Sequence, residues 1–343
     1  MNTNILKNKL LFFLILVIIT GCQNATIKDD GISNQPIVSE ITKSSFHDGT
    51  MLITREAKAG KKSCWNNIGE GNVFILAAGA NTGTAEENLL RRANYDAKKF
   101  ADAMRQLFKV YERRVCVLEN AYKSEFVQAL TRLKHFVTPN DLVVIYFSGH
   151  GDQTTDRDRD EIHDKCDEFF VTYPEKSKHK FKNSLTDDEF DKLIGGISTN
   201  HILTVVDACH SGGSVRGEGS SEIVKSLSRG NKPTCDFKRS KKKEPIKGML
   251  LAAVKEYQLA MELNGVCKKT GKKDGYVGGR FTHFLVKASE QAMQSRPSID
   301  FLAVFEEARK NVRNHSRQCS EDTQEPLIKG DKTLFREINR YIP

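Results

Sequence analysis

Leu142-Val143-Val144-Ile145-Tyr146-Phe147-Ser148-Gly149-His150-Gly151 and Ile202-Leu203-Thr204-Val205-Val206-Asp207-Ala208-Cys209-His210-Ser211-Gly212-Gly213 are the two stretches whose reading decides the fold. Each is a short run rich in β-branched residues that ends in turn residues, the pattern of a buried strand in a parallel sheet. Open α/β sheets bind ligands beyond the carboxyl ends of their strands, so His150 and Cys209 are expected to project into one crevice. A thiol beside an imidazole is the minimum equipment for a thiolate nucleophile with an acid–base partner. Taken singly, each residue has an ordinary explanation. A lone Cys at a strand end is usually a small buried hydrophobe, and a lone His a satisfied core or surface group. Zinc held by His150, Cys209 and His210 is a further reading, but the compact Cys/His spacing of structural zinc sites is missing. The glycines flanking both residues suit tight turns and close backbone approach, and they favour the paired reading.

Outward from these two stretches, strands and helices alternate. Residues 73–78 read as a strand, followed by a Gly/Asn/Thr loop at 79–84. The spacing of Leu89, Leu90, Ala93, Ala97, Phe100, Ala101, Met104 and Leu107 predicts a helix over about 87–108. Residues 115–118 form a second strand, and 124–135 a helix with Ser124 as N-cap. Thr186 caps a helix through Ile194, with Asp187 and Glu189 suited to its dipole. Residues 249–254 are a further strand, and 281–290 and 299–312 are amphipathic helices. This βαβ alternation predicts an α/β fold: a mostly parallel sheet with helices on both faces, joined by right-handed crossovers.

The N-terminus speaks to location. Lys7 and Lys9 precede an apolar run, residues 10–19, that is too short for a comfortable membrane span. Basic n-region and apolar h-region together read as a secretory signal. Ile19-Thr20-Gly21-Cys22 resembles a bacterial lipobox, in which Cys22 is lipidated and becomes the mature N-terminus; an ordinary signal peptide or a short anchor helix are the alternatives. The expected organisation is a signal peptide at 1–21, a lipidated N-terminus and polar tether at 22–63, and one large domain at 64–343. The expected address is extracytoplasmic, on a bacterial membrane through the lipid anchor, which argues against nucleic acid as a partner. Oligomeric state is not legible.

The chain carries a formal net charge of +9 over 343 residues, unevenly distributed. Residues 225–247 hold nine Lys and Arg against Asp236 and Glu244, and read as an exposed flexible linker. A patch for anionic lipid or nucleic acid is the competing reading of that run. Residues 152–168 are acidic. Asp156, Asp158, Asp160 and Asp167 resemble part of a calcium loop, but Glu161 stands where that loop needs glycine. Of eight cysteines, Cys22 and Cys209 are set aside, and the other six allow fifteen disulfide pairings. Cys116, within a buried strand, is expected to be unpaired.

Residues 147–151 and 207–212 resemble the histidine and cysteine motifs of caspase-like peptidases, metacaspases and their bacterial relatives in particular. The order, His before Cys by one small α/β unit, agrees with that family. Weaker likenesses lie in Asn94-Tyr95-Asp96-Ala97, in Leu185 to Phe190, in Gly279 to Leu285 and in Gln324-Glu325-Pro326, so that the resemblance runs from about Val73 to Asp331. It implies a three-layer sandwich around a sheet of about six strands, and a cysteine endopeptidase with Cys209 as nucleophile and His150 as acid–base partner. It implies an oxyanion hole from the backbone N–H groups of Gly151 and Cys209. Asp96 and Asp207 match family positions that line an acidic pocket for Arg or Lys, so the expected substrates are proteins or peptides with basic residues. It also implies self-cleavage in the 225–247 linker, with Arg229, Arg239 and Lys241–Lys243 as candidate positions. The chemistry requires no cofactor; calcium is a potential activator, with Asp187 and Asp188 matching family ligands. The alternative is a catalytically inactive caspase-fold surface lipoprotein acting as a binding or adaptor module.

Overall fold

The six-stranded sheet that carries both stretches is buried on its two faces, as the unbroken apolar runs predict. In the computed structural model, described for residues 52–53, 64–65, 68–83, 89–155, 166–173, 184–209, 223–225, 247–255, 258–295 and 298–343, its order is β14-β11-β9-β5-β2-β4. These strands are β2 (Val73–Gly79), β4 (Val115–Glu119), β5 (Leu142–Ser148), β9 (Ile202–Asp207), β11 (Met249–Ala252) and β14 (Leu327–Gly330). All neighbours run parallel except β14, which closes one edge antiparallel to β11. The edge strand β14 was not legible in advance.

Alternate residues of each strand feed two separate cores. Ile75, Ala77, Val144, Tyr146, Leu203 and Val205 face α1 (Ala93–Leu107), α4 (Arg280–Ser295), α5 (Phe301–Cys319) and α6 (Leu334–Asn339). Phe74, Leu76, Val143, Ile145 and Phe147 face α2 (Lys123–Leu133) and α3 (Asp187–Gly195). The result is the expected three-layer sandwich.

Smaller sheets decorate the frame. A short strand pair joins β1 (Leu52–Ile53), inside the expected tether, to β3 (Thr82–Gly83). A three-stranded unit joins β6 (Gly151–Thr155), β7 (Cys166–Val171) and β8 (Ser184–Thr186). Another joins β10 (Ile223–Val224), β12 (Met261–Val266) and β13 (Lys273–Gly279).

Three expectations are corrected. Helix α1 starts at Ala93 rather than near 87, because the Arg91 and Arg92 N–H groups donate to the Glu262 carboxylate at 2.8 and 2.9 Å instead of opening a helical turn. Helix α2 starts one residue early, at Lys123; Ser124 lies inside it, and the Tyr122 N–H donates to Glu125 at 3.3 Å. Cys116 is not unpaired: it is disulfide-bonded to Cys64, and both lie buried in the core that faces α2 and α3. A second disulfide joins Cys267 and Cys319. At α3 the expected cap is present, with Thr186 Oγ1 accepting from the Glu189 N–H at 3.2 Å and Glu189 accepting from the Thr186 N–H.

Candidate active site

Strands β5 and β9 are central neighbours, and their register pairs Ser148 with Asp207. His150 and Cys209 are each two residues further on, so they leave the sheet at one level, at the carboxyl ends of adjacent strands. Both are fully buried, and Cys209 is the free cysteine among the described residues. The Gly149 N–H reaches the Asp207 carbonyl at 3.5 Å, and the His150 carbonyl accepts from Val171 of β7 at 2.9 Å. A Cβ on Gly151 would collide with the Cys209 carbonyl, so only glycine lets the two turns approach this closely.

The residues expected to form a pocket converge on the same face. Asp207, two before Cys209, is completely buried, and Asp96 from α1 lies opposite it. Asp207 Oδ2 accepts from the Thr282 N–H at 2.9 Å and from Thr282 Oγ1 at 2.6 Å. Asp96 Oδ2 accepts from the Gly279 N–H at 2.8 Å and from Ser148 Oγ at 3.1 Å. The Gly279 and Thr282 contacts come from the segment at the start of α4 that the sequence marked only weakly. That segment is itself tied down: the buried Arg280 guanidinium donates to Gln324 Oε1 at 3.2 Å and to Ser320 Oγ, and Gln324 Nε2 donates to the Ala253 carbonyl at 3.2 Å.

Lys225 occupies the centre of this arrangement, although its place in a basic run pointed to solvent. Expected as the first residue of an exposed linker, it is completely buried instead. Its ammonium lies 3.1 Å from Asp207 Oδ1 and 3.6 Å from Asp96 Oδ2. It donates to Ser148 Oγ at 2.8 Å and to the Asp207 carbonyl at 3.0 Å. Its carbonyl oxygen accepts from the Gly151 N–H at 3.0 Å and from the Cys209 N–H at 3.4 Å. The two carboxylates, with these hydrogen bonds, make such a burial tolerable, since an unpaired ammonium in the interior costs several kcal/mol (about 3–5). The linker's apparent polarity concealed it.

The electrostatics follow from burial. Desolvation pushes the Asp96 carboxyl up to about 6, against the attraction of the Lys225 ammonium. Desolvation also opposes the charged form of Lys225, but Asp207, Asp96 and Glu262 together outweigh it and leave its pKa raised. Glu262 is driven up to about 7, by burial first and then by Asp96. Burial pushes the Cys209 thiol up to about 12, although the Ala260 N–H, 3.2 Å from Sγ, pulls the other way. In this covered state Cys209 is therefore a neutral thiol.

Asp187 and Asp188 open the first turn of α3, where their charges suit the helix dipole. Two adjacent carboxylates supply only part of the six to eight oxygen ligands that calcium takes. Among the described residues the one group of three close metal-ligating residue types is Asp274, His315 and Cys319, which does not include them, and its Cys319 is already spent in the disulfide to Cys267. Cys22, His210, the acidic residues 156–165 and the candidate cut positions Arg229, Arg239 and Lys241–Lys243 lie outside the described residues.

Fold and site together define an α/β protein with a buried Cys/His pair at the ends of adjacent parallel strands. The caspase domain model matches residues 72–334, and the chain belongs to that family of cysteine peptidases. Metacaspase-1 of Schizosaccharomyces pombe is 34% identical over 95 residues, which is 27% of this chain and 21% of that one. Metacaspase III c of Phaeodactylum tricornutum is 24% identical over 149 residues, covering 41% and 43%. The chain thus spans less than half the length of these curated relatives. Among solved structures, a Geobacter sulfurreducens protein superposes with a TM-score of 0.50 at 18% identity, over 77% of this chain and 97% of its own, a likeness of fold.

Proposed function

We propose that the chain is a cysteine endopeptidase cutting after Arg or Lys, with Cys209 as nucleophile and His150 as acid–base partner. The observation that carries this reading is the buried Asp96–Asp207 pair beside Cys209 with an ammonium held between the carboxylates. A charge pair of this kind favours a basic side chain through charge-assisted hydrogen bonds and rejects an acidic one.

Because burial disfavours the thiolate, proton transfer from Cys209 to His150 accompanies attack rather than preceding it. The sulfur forms a bond to the scissile carbonyl carbon, and the carbonyl oxygen becomes an oxyanion held by the Gly151 and Cys209 N–H groups. Collapse breaks the C–N bond as the His150 imidazolium gives its proton to the leaving amine. Water, deprotonated by His150, then attacks the thioester, and the C–S bond breaks to release the carboxylate and regenerate the thiol.

Fluorogenic peptides ending in Arg, Lys or Asp, assayed with and without calcium, test the reading. Turnover after Arg and Lys, lost at least about 1,000-fold in Cys209→Ala and in His150→Ala, is expected. Cleavage after Asp alone would overturn the acidic pocket. The calcium arm decides whether the ion activates. The membrane address rests on the Lys7 to Cys22 pattern, and two disulfides support an oxidising compartment; fatty-acid labelling lost in Cys22→Ser is its check.

A further inference from the structure

We infer that Cys267, Asp274, His315 and Cys319 form a zinc site when the Cys267–Cys319 disulfide is reduced, so that the metal takes over the clasp that the disulfide provides when oxidised. The site lies at the turn of the β12–β13 hairpin, and nothing in it depends on the endopeptidase reading.

Four residues of metal-ligating type meet there from three parts of the chain. His315 and Cys319 stand four apart on α5 and so share one face of its last turns. Asp274 comes from β13, and Cys267 from the turn before it. A carboxylate oxygen of Asp274, an imidazole nitrogen of His315 and the Cys319 sulfur all lie within 4.8 Å of one another, and the Cys267 sulfur is bonded to that of Cys319. Tetrahedral zinc, with bonds of about 2.0–2.3 Å, sets its ligands about 3.3–3.8 Å apart, so small side-chain movements close the set. Two of the ligands are already oriented. Asp274 Oδ1 accepts from the Tyr276 N–H at 3.0 Å while Oδ2 lies 3.1 Å from His315 Nε2, and the imidazole packs edge-on against the Tyr276 ring with centroids 4.9 Å apart. A disulfide needs neither the imidazole nor the carboxylate, and a His–Asp pair needs no sulfur; zinc accounts for all four together.

The sulfurs stay neighbours without their bond, because other contacts hold the same turn to the same helix. The Lys269 N–H donates to the Cys319 carbonyl at 3.1 Å and Lys269 Nζ to the Arg317 carbonyl at 2.8 Å, while the Cys267 carbonyl accepts from the Gly271 N–H at 2.8 Å. A thiol or phosphine reductant supplies two electrons to the disulfide and is itself oxidised to its disulfide or phosphine oxide; with two protons taken up, two thiols result. Zinc binds both as thiolates and releases those protons. Two thiolates, one carboxylate and a neutral imidazole around Zn²⁺ carry a net charge of about −1, which suits a turn containing Lys268, Lys269, Lys272 and Lys273. Sulfur and nitrogen ligands select zinc over calcium and magnesium, which take oxygen. In the oxidised protein only His315 and Asp274 remain to bind, so the metal is gated by the redox state of the pair.

Zinc chloride titrated into the full chain carrying Cys209→Ala, which removes the active-site thiol, tests this, with bound metal counted after gel filtration. The protein reduced with a phosphine should retain one zinc ion per chain more than the same protein oxidised, a comparison that needs no further variant and so does not depend on any variant folding. In Cys267→Ser/Cys319→Ser that extra ion should bind at least about tenfold more weakly. Cobalt(II) in place of zinc should give thiolate-to-metal charge-transfer absorption and the intense visible bands of a tetrahedral site, and both should weaken in Asp274→Asn and in His315→Ala. Zinc should also raise the melting midpoint of the reduced protein and leave that of the reduced double variant where it was. Equal zinc in the two redox forms, an extra ion that persists undiminished in Cys267→Ser/Cys319→Ser, or a cobalt spectrum without thiolate bands would overturn the site. None of these outcomes bears on peptide turnover, so the endopeptidase reading stands or falls separately.

Discussion

At the residue scale, the site is a problem of charge in a dry place. Asp207 is held by two donors from Thr282, and Asp96 by Gly279 and Ser148, so neither carboxylate depends on water for its hydrogen bonds. Their geometry is therefore fixed before a basic side chain arrives, which reduces the ordering that binding demands. The two are not equivalent in acid. Burial lifts Asp96 to about 6 even with an ammonium beside it, and an empty pocket would lift it further. The carboxyl is ionised above that value and neutral below it. Because kcat/KM reports the free enzyme, as pH falls through that raised value, above about 6, the emptied pocket loses one of its negative charges, and kcat/KM for Arg and Lys peptides should fall with it. In Asp96→Asn that inflection should disappear, leaving a lower and flatter profile in this range; an unchanged inflection would place the titration elsewhere. Because the ionised and protonated forms differ by one charge facing the substrate, KM should carry more of the effect than kcat.

At the scale of elements, adjacency is what turns two strand ends into a site. Strands β5 and β9 would deliver His150 and Cys209 to one level in any parallel pairing with this register. The pocket needs more, because its walls come from α1, from the turn into α4 and from β12. Arg280 and Gln324 hold that turn against the Ala253 carbonyl after β11, joining two of the weaker likenesses in the chain by direct contact. Replacing Gln324 by Ala leaves the buried Arg280 Nη1 and the Ala253 carbonyl each without this partner. Denaturant unfolding of Gln324→Ala should therefore show a loss of about 2 kcal/mol or more. Activity on Arg peptides should fall with it as Thr282 and Gly279 lose their fixed positions. A variant as stable as wild type would mean that the turn is held by other contacts.

At the scale of the whole molecule, covalent ties reinforce the edges of the sandwich. Each of the two disulfides among the described residues closes a sequence separation of 52 residues, Cys64 to Cys116 and Cys267 to Cys319. The second joins the end of α5 to the turn that connects β12 and β13, the hairpin whose β12 strand lines the cleft. Loop closure of this length restricts the unfolded chain by about 4 kcal/mol in the entropy model. The double variant Cys267→Ser/Cys319→Ser should lose about 2–4 kcal/mol in a denaturant melt, and a reducing agent should lower the wild type's midpoint but not the variant's further at this site. Failure of either arm would show that the hairpin is set by packing alone.

Much of this was legible in the chain. The β-branched runs before His150 and Cys209 could be buried only in a parallel sheet, and the periodicity of Ala97, Phe100, Ala101 and Met104 fixed which helix face met it, because period and polarity are local properties. The Thr186 cap was equally local. The pairing of Cys64 with Cys116 was not, since no spacing rule selects among fifteen pairings, nor was the start of α1, which a carboxylate 170 residues away decides. Lys225 marks the limit most clearly. By composition it belongs to a solvated basic linker, and a lysine's charge ordinarily keeps it there. The sequence alone determined the five parallel strands of the sheet, the Cys/His pair and the two acidic candidates. Only the tertiary structure decided that two buried carboxylates from distant elements would meet, lower the cost of burying one ammonium, and draw that lysine out of the linker into the cleft.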